Sequence, residues 1–418
     1  MLLRARVVLP VTAPPLGDGA VLVSGGRIAA VGPWPDLRRA SSGTVTDLGD
    51  VILLPGLINA HCHLEYTGFA GHLPPPRSFT DWIKGVLALK AGWGWSEFAL
   101  SWLAGARQML ASGATTVVDV AAVPELLPEV REATPLRIVS CLEMTGLRRG
   151  RPPERTLGDA LALAGRLRVG HGAAGLSPHA PYSTTARLVT LAAQAARERG
   201  LPLTIHAAES VEEFSMFMHR RGPMHDWLAP QRDMGDCGLG SPVAHLARCD
   251  ALGPHTLLAH VNYLDGADAP LLAESGTSVV HCPQSHAYFG HQRFPREVLE
   301  RAGVNVCLGT DSLLSTRVQG RTLPRLSLFD ELRACAAAKP APEPGALLRA
   351  VTVNPARALG LAGRRGELRP HADADLIAIP YAGAAAAAAA YAVTAHAGPV
   401  AASMIAGEWA MPPAGHNQ

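Results

Sequence analysis

The sequence is short of the features that mark several protein classes. No two of its seven cysteines have C-x-x-C spacing: Cys62, Cys141, Cys237, Cys249, Cys282, Cys307 and Cys335 lie scattered along the chain. An odd, dispersed set argues against a disulfide framework and fits reduced thiols in the cytoplasm. No apolar run approaches the ~20 residues of a membrane helix. Charge is sparse and balanced, 37 basic against 35 acidic side chains, and no basic stripe marks a nucleic-acid face. The nearest cluster, Arg148, Arg149 and Arg151, reads as a solvated loop. The opening stretch is interrupted by Arg4 and Arg6 and lacks a small-residue cleavage site, so export is not expected. What remains is a soluble protein not expected to bind nucleic acid or to span a membrane.

What is present is length and rhythm. The 418 residues suffice for one large barrel or two to three ordinary domains. Residues 1–55 read as short strands and turns, with runs at Ala20–Ser24, Arg27–Val31 and Val51–Leu54. The far end, 366–418, has the same character, with runs at Asp375–Ile379 and Val400–Gly407. One small β-sandwich-like domain built from both termini is expected. Between them, 56–365 alternates apolar runs with helical segments such as Thr185–Glu198 and Ala267–Glu274. The runs begin at Leu57, Thr115, Leu136, Ala174, Leu203, Thr256, Thr277 and Val304, which makes eight. Eight β-α units predict an α/β fold, a (β/α)8 TIM barrel, with its active site at the C-terminal ends of buried strands. The alanine tract Ala384–Ala390 is low complexity and carries no assigned function.

Chemistry-bearing residues cluster at the ends of those runs. His61 and His63 flank Cys62 at the end of the first. Residues two apart on a strand share a face, so both imidazoles can reach one metal while Cys62 points away. His206 ends the fifth run and Asp311 follows the eighth. Singly, each has a bland reading, a core histidine or a helix N-cap. Jointly, three imidazoles and a carboxylate make a site for one divalent metal with room for a water. His260 closes the sixth run, either as a fifth ligand or, preferably, as a partner of that water.

These motifs resemble the amidohydrolase superfamily, in the branch of cytosine-, guanine- and S-adenosylhomocysteine-type deaminases and related chlorohydrolases. The resemblance runs from Gly25-Gly-Arg-Ile through Leu54-Pro-Gly-Leu-Ile-Asn-Ala-His-Cys-His-Leu-Glu to Asp373-Ala-Asp-Leu. It takes in Leu176-Ser-Pro-His-Ala-Pro-Tyr, His206-Ala-Ala-Glu-Ser and Gly309-Thr-Asp-Ser. The three lysines, Lys84, Lys90 and Lys339, lie off the barrel strands, which excludes a carbamylated lysine bridging two metals. Glu143, ending the third run, is a weaker candidate for a bridging ligand. The unrelated zinc deaminases need a C-x-x-C that this chain lacks.

The resemblance implies a hydrolytic deaminase with one metal, zinc before iron. It implies that Asp311 ligates the metal and takes a proton from water, that His260 orients the attack, and that Glu209 protonates the ring nitrogen. Substrate contacts are expected from Glu65, His179 and Arg148, with Phe79, Trp82 and Trp93 as an aromatic lid or as core. One departure stands out: relatives read Cys-Pro-x-Ser-Asn where this chain has Cys282-Pro-Gln-Ser-His286, so His286 joins the substrate-site candidates. The His-Leu-Glu start and the Phe79…Trp82 spacing resemble the 6-aminodeoxyfutalosine deaminases, ahead of S-adenosylhomocysteine- or adenosine-type substrates. Removal of chloride or alkylamine from a heteroaromatic ring is the alternative. A non-catalytic binding protein is disfavoured by the complete ligand set with Glu209. A homodimer is expected from the resemblance alone.

Overall fold

The computed structural model describes residues 1–147, 151–167 and 172–415. Eight strands form one parallel sheet, here β1 (Leu57–Cys62), β2 (Ala114–Ala121), β3 (Arg137–Met144), β4 (Ala173–Pro178), β5 (Leu203–Ala207), β6 (Thr256–His260), β7 (Ser278–His281) and β8 (Asn305–Leu308). They lie side by side in chain order. A parallel bridge from Cys62 to Asp311 carries β8 back to β1 and closes the barrel. This is the (β/α)8 TIM barrel. Nearly every strand residue is buried, the state that continuous apolar runs describe when helices cover the outside.

The helices follow local rules. Ala186–Arg199 starts at Thr185, whose hydroxyl accepts from the Leu188 amide at 3.2 Å, and stops at Gly200 with φ 61°. Its buried Leu188, Val189, Ala192, Ala193 and Ala196 recur at helical spacing and meet β4 and β5 residues. Asp268–Ser275 ends in the same way at Gly276. The alanine tract contributes a 3₁₀ turn and then the helix Ala388–Thr394, whose Ala388, Ala392 and Val393 are buried.

The two chain ends share a second sheet. Its strands run in the order Glu408–Met411, Ala402–Ile405, Leu376–Pro380, Val51–Pro55, Leu2–Val8, Leu16–Ser24 and Arg27–Pro33, with Val45–Asp47 beside Leu2–Val8. One face encloses Leu3, Val21, Ile28, Leu53, Leu376 and Met404. The other presents Val7, Ile52 and Leu54 to barrel residues such as Leu328, Phe329 and Leu347. The expected terminal strands are present, though in one continuous sheet, and Leu2–Val8 and Glu408–Met411 were not anticipated. Among the described residues, no helix is long and apolar enough to cross a membrane.

Candidate active site

The C-terminal end of β1 sets the site. Asn59 accepts from the amides of His61 and Thr310, at 3.3 and 3.1 Å, and donates to the Thr310 hydroxyl at 2.8 Å. The amides of Thr310 and Asp311 donate to the His61 carbonyl at 3.0 and 3.1 Å. β8 therefore delivers Asp311 beside the two histidines, with Asp311 itself at φ 54°. His260 is likewise left-handed, at φ 73°. Such backbone costs a non-glycine residue free energy and persists only where its surroundings hold it.

Four imidazoles and a carboxylate converge. His63 Nε2 and His206 Nε2 are 3.2 Å apart, and His61 Nε2 and His63 Nε2 each lie 3.7 Å from Asp311 Oδ1. The His61 ring centroid is 4.8 Å from that of His206 and 5.5 Å from that of His260. His206 Nδ1 donates to the His179 carbonyl at 2.8 Å, which fixes the ring and turns Nε2 inward. Both His61 nitrogens and His260 Nε2 are buried without a hydrogen-bond partner. Burying unpaired polar atoms is costly, and a cation satisfies several at once. The donor set of imidazole nitrogen and carboxylate oxygen fits a divalent metal, as does the spacing within two groups that share His61: His61, His63 and Asp311, and His61, His206 and His260.

Burial also sets the protonation states. It pushes His63 down to about 4 and His260 down to about 3, helped at His63 by His61. His206 lies well below its ordinary value from burial and neighbouring histidines. Neutral imidazoles are the form that ligates a metal. Burial alone would raise Asp311, yet the adjacent His61 holds it well below the usual carboxylate range. Glu209 goes the opposite way: burial, then Asp311 and Glu213, raise it well above that range. Two carboxyl groups with opposite shifts pair a base with an acid. Glu209 Oε1 lies 3.6 Å from His260 Nε2.

Beyond the cluster a cavity of about 320 Å³ opens between the barrel loops. Trp82, Ile83, Val86, Leu87, Trp227 and Leu228 form its apolar wall. Lys90 and Glu143 face the same space, as do His179 and Tyr182.

Comparison with known proteins places this architecture. The model of the "Amidohydrolase family" matches residues 52–410. A 5-methylthioadenosine/S-adenosylhomocysteine deaminase of Syntrophobacter fumaroxidans is 32% identical, covering 87% of this chain and 80% of that one. This chain belongs to the amidohydrolase family. It is a hydrolase acting on carbon–nitrogen bonds other than peptide bonds. A solved adenosine deaminase of Xanthomonas campestris with bound zinc is 26% identical at a TM-score of 0.81, covering 98% of this chain and 92% of that one. An aminofutalosine deaminase of Helicobacter pylori, solved with methylthio-coformycin, shares the fold at 23% identity and a TM-score of 0.84, covering 98% of this chain and 99% of that one. An imidazolonepropionase-like composite-domain model also matches residues 19–41, in the terminal sheet.

The amidohydrolase brings some expected residues together and moves others away. His61, His63, His206, Glu209, His260 and Asp311 meet in one cluster. His179 lines the cavity, where its Nδ1 pairs with Ser183 Oγ at 2.6 Å. Glu65 does not line it. Its Oε1 accepts from the Ala122 amide at 2.5 Å, with 1% of the residue exposed, so it braces the loop after β2. His286 is also off the cavity, because its Nδ1 turns to Asn262 Oδ1 at 3.0 Å. Arg148 lies outside the described residues. Of the three aromatic candidates, Trp82 lines the cavity with Phe79 packed on it, their centroids 5.7 Å apart. Trp93 packs on Phe69 at 3.9 Å and belongs to the core. Lys90, Tyr182 and Trp227 were not expected as wall residues, because segments distant in the chain supply them: the helix Phe79–Ala91, the stretch after β4 and the helix Pro223–Leu228. Glu143 had been weighed only as a bridging ligand; it lies on the cavity wall, and it is in none of the ligand groupings.

Proposed function

We propose that this amidohydrolase is a zinc-dependent deaminase of an adenine nucleoside whose 5′ end carries an aromatic acid, 6-aminodeoxyfutalosine being the first candidate. The observation that carries the deaminase reading is the acid–base pair itself. Glu209, its carboxyl raised, and Asp311, its carboxyl lowered, both lie within 4.8 Å of His260, and all three are buried at a cavity with a largely apolar wall.

His61, His63, His206 and Asp311 would hold the metal. Bound there, a divalent cation supplies Lewis acidity that lowers the pKa of a water and polarises the carbon under attack. Asp311 is the ionised carboxylate that accepts the proton lost by the attacking water. Glu209 is the neutral acid that donates to the ring nitrogen beside that carbon, which lets the carbon become tetrahedral. His260, neutral and held in a left-handed backbone turn, steadies the incoming oxygen. The exocyclic amine takes the relayed proton and leaves as ammonia, so water and amine exchange for carbonyl and ammonia. The apolar wall keeps bulk water from these groups. Trp82 and Trp227 offer faces for an aromatic substituent, and Lys90 a cation for its carboxylate. The Helicobacter relative named for aminofutalosine supports this reading in fold, and the Syntrophobacter relative supports a 5′-alkylthio nucleoside as the second candidate.

The test is ammonia release by zinc-loaded protein across 6-aminodeoxyfutalosine, 5′-methylthioadenosine, S-adenosylhomocysteine, adenosine, guanine and cytosine. Strong release from one member, lost in Glu209→Gln by about 100-fold or more, is expected. No release from any member, with metal bound, would overturn deamination in favour of another leaving group such as chloride.

A further inference from the structure

The departure at His286 has a structural meaning, and it leads back to Glu209. The Glu209 peptide is held on both sides. Its N–H donates to Glu213 Oε2 at 2.8 Å, and its carbonyl accepts from Asn262 Nδ2 at 2.9 Å. Glu213 is set by its helix, Val211–His219, where the Ser210 hydroxyl accepts from the Glu213 amide at 3.1 Å. Asn262 has weaker support. It follows the two left-handed residues His260 and Val261, at φ 73° and 49°, and its own amide donates to the Ala208 carbonyl at 3.0 Å.

An asparagine side chain has a donor end and an acceptor end of nearly the same shape. Turned over, Asn262 would set its oxygen against the Glu209 carbonyl oxygen and repel it. The contact that holds the other end in that orientation is His286, whose Nδ1 lies 3.0 Å from Asn262 Oδ1. Oδ1 accepts only, so the His286 proton sits on Nδ1. The ring has little freedom: its centroid is 5.2 Å from that of His281 and 5.4 Å from that of His291, and His291 Nδ1 meets the Tyr263 hydroxyl at 3.2 Å.

We propose that His286 is a positioning residue for the deamination, acting through Asn262 to hold the Glu209 peptide so that its carboxyl faces the ring nitrogen. The chain runs His286 Nδ1–H to Asn262 Oδ1, then Asn262 Nδ2–H to the Glu209 carbonyl. It rests on the assignment of Glu209 as the proton donor. It also assigns His286 a place behind the site, not in contact with substrate.

The experiment compares three variants of the zinc-loaded enzyme with its preferred substrate. His286→Leu removes the donor. It should lower kcat about 10- to 100-fold, the effect expected of a displaced catalytic group, with KM within about twofold and zinc content unchanged. His286→Asn places an amide N–H at the depth of Nδ1 and should recover most of that loss. Asn262→Ala should match His286→Leu, and the double variant should be no worse than Asn262→Ala alone, because the two act as one unit. Full kcat in His286→Leu, a loss falling mainly on KM, no recovery in His286→Asn, or additive losses in the double variant would each overturn the proposal. If His286→Leu does not fold, the recovery in His286→Asn and the size of the Asn262→Ala effect decide. The parent reading is checked separately: an active Glu209→Gln enzyme would refute Glu209 as donor, whereas an inactive one beside a fully active His286→Leu would refute the positioning role alone.

Discussion

At the scale of single residues, the site turns on opposite treatment of like groups. The Asp311 carboxyl is lowered by the histidine beside it, and the Glu209 carboxyl is raised by burial and neighbouring carboxylates. Asp311→Asn removes a charged ligand while keeping the shape, so bound zinc per chain should fall sharply on metal analysis, and activity with it. Lys90 separates the two substrate candidates. Among the described residues it makes no ion pair, and its Nζ lies 5.2 Å from the Tyr66 ring centroid while burial leaves it facing the cavity. Lys90→Met should raise KM for 6-aminodeoxyfutalosine by about 10- to 100-fold, the worth of a hydrogen bond to a charged group. It should leave 5′-methylthioadenosine, which has no carboxylate, unaffected. Equal effects on both substrates would remove Lys90 as a carboxylate contact.

At the scale of elements, barrel closure and the metal site are one feature. A Cβ on Gly309 would come within 2.7 Å of the His61 carbonyl oxygen, so β8 can reach β1 only because residue 309 lacks a side chain. Gly309→Ala should cost about 1–3 kcal/mol in denaturant unfolding through overpacking, and should weaken metal retention because His61 must move. A second element contact predicts pH dependence. Glu331, on the helix Leu328–Ala336, accepts from the Gln284 amide at 2.9 Å and from Gln284 Nε2 at 2.6 Å. Burial raises its carboxyl from 4.5 to about 8. The fold thus prefers the protonated acid. That contribution is fully present below the unfolded value and is lost as pH rises through the folded one. Glu331→Gln should flatten the fall of the thermal midpoint between about pH 5 and 8, and an unchanged slope would exclude Glu331 as its source.

At the scale of the whole molecule, the proposed metal ligands come from strands in opposite parts of the chain. His61 and His63 come from the first barrel unit, His206 from the fifth and Asp311 from the eighth. A cation that binds them binds only the folded chain and stabilises it by mass action, by about 4 kcal/mol at a thousandfold excess over Kd. Chelation should therefore lower the thermal midpoint of the entire barrel in one cooperative transition, and zinc should restore it. A loss of activity with no thermal shift would mean that the metal does not link these strands.

The strand ends were legible in the sequence because period and position are local properties. A parallel strand buried on both faces reads as an apolar run, and a polar residue that closes such a run sits at the C-terminal rim. His61, His63, His206, His260 and Asp311 could be collected on that ground, and Glu209 by its place three residues past His206. The terminal sheet was legible in outline, since turn residues such as Gly25 and Gly26 punctuate short strands. Only the tertiary structure decided which side chains line the cavity. Glu65 has the spacing of a site residue but turns Oε1 to the Ala122 amide, and His286 turns Nδ1 to Asn262. Trp82 and Lys90 share one face of the helix Phe79–Ala91, but only tertiary packing brings that face against Trp227 on the helix Pro223–Leu228. Strand period fixes a direction within one element. A cavity wall is set by how separate elements pack against one another, and that is a property of the closed barrel.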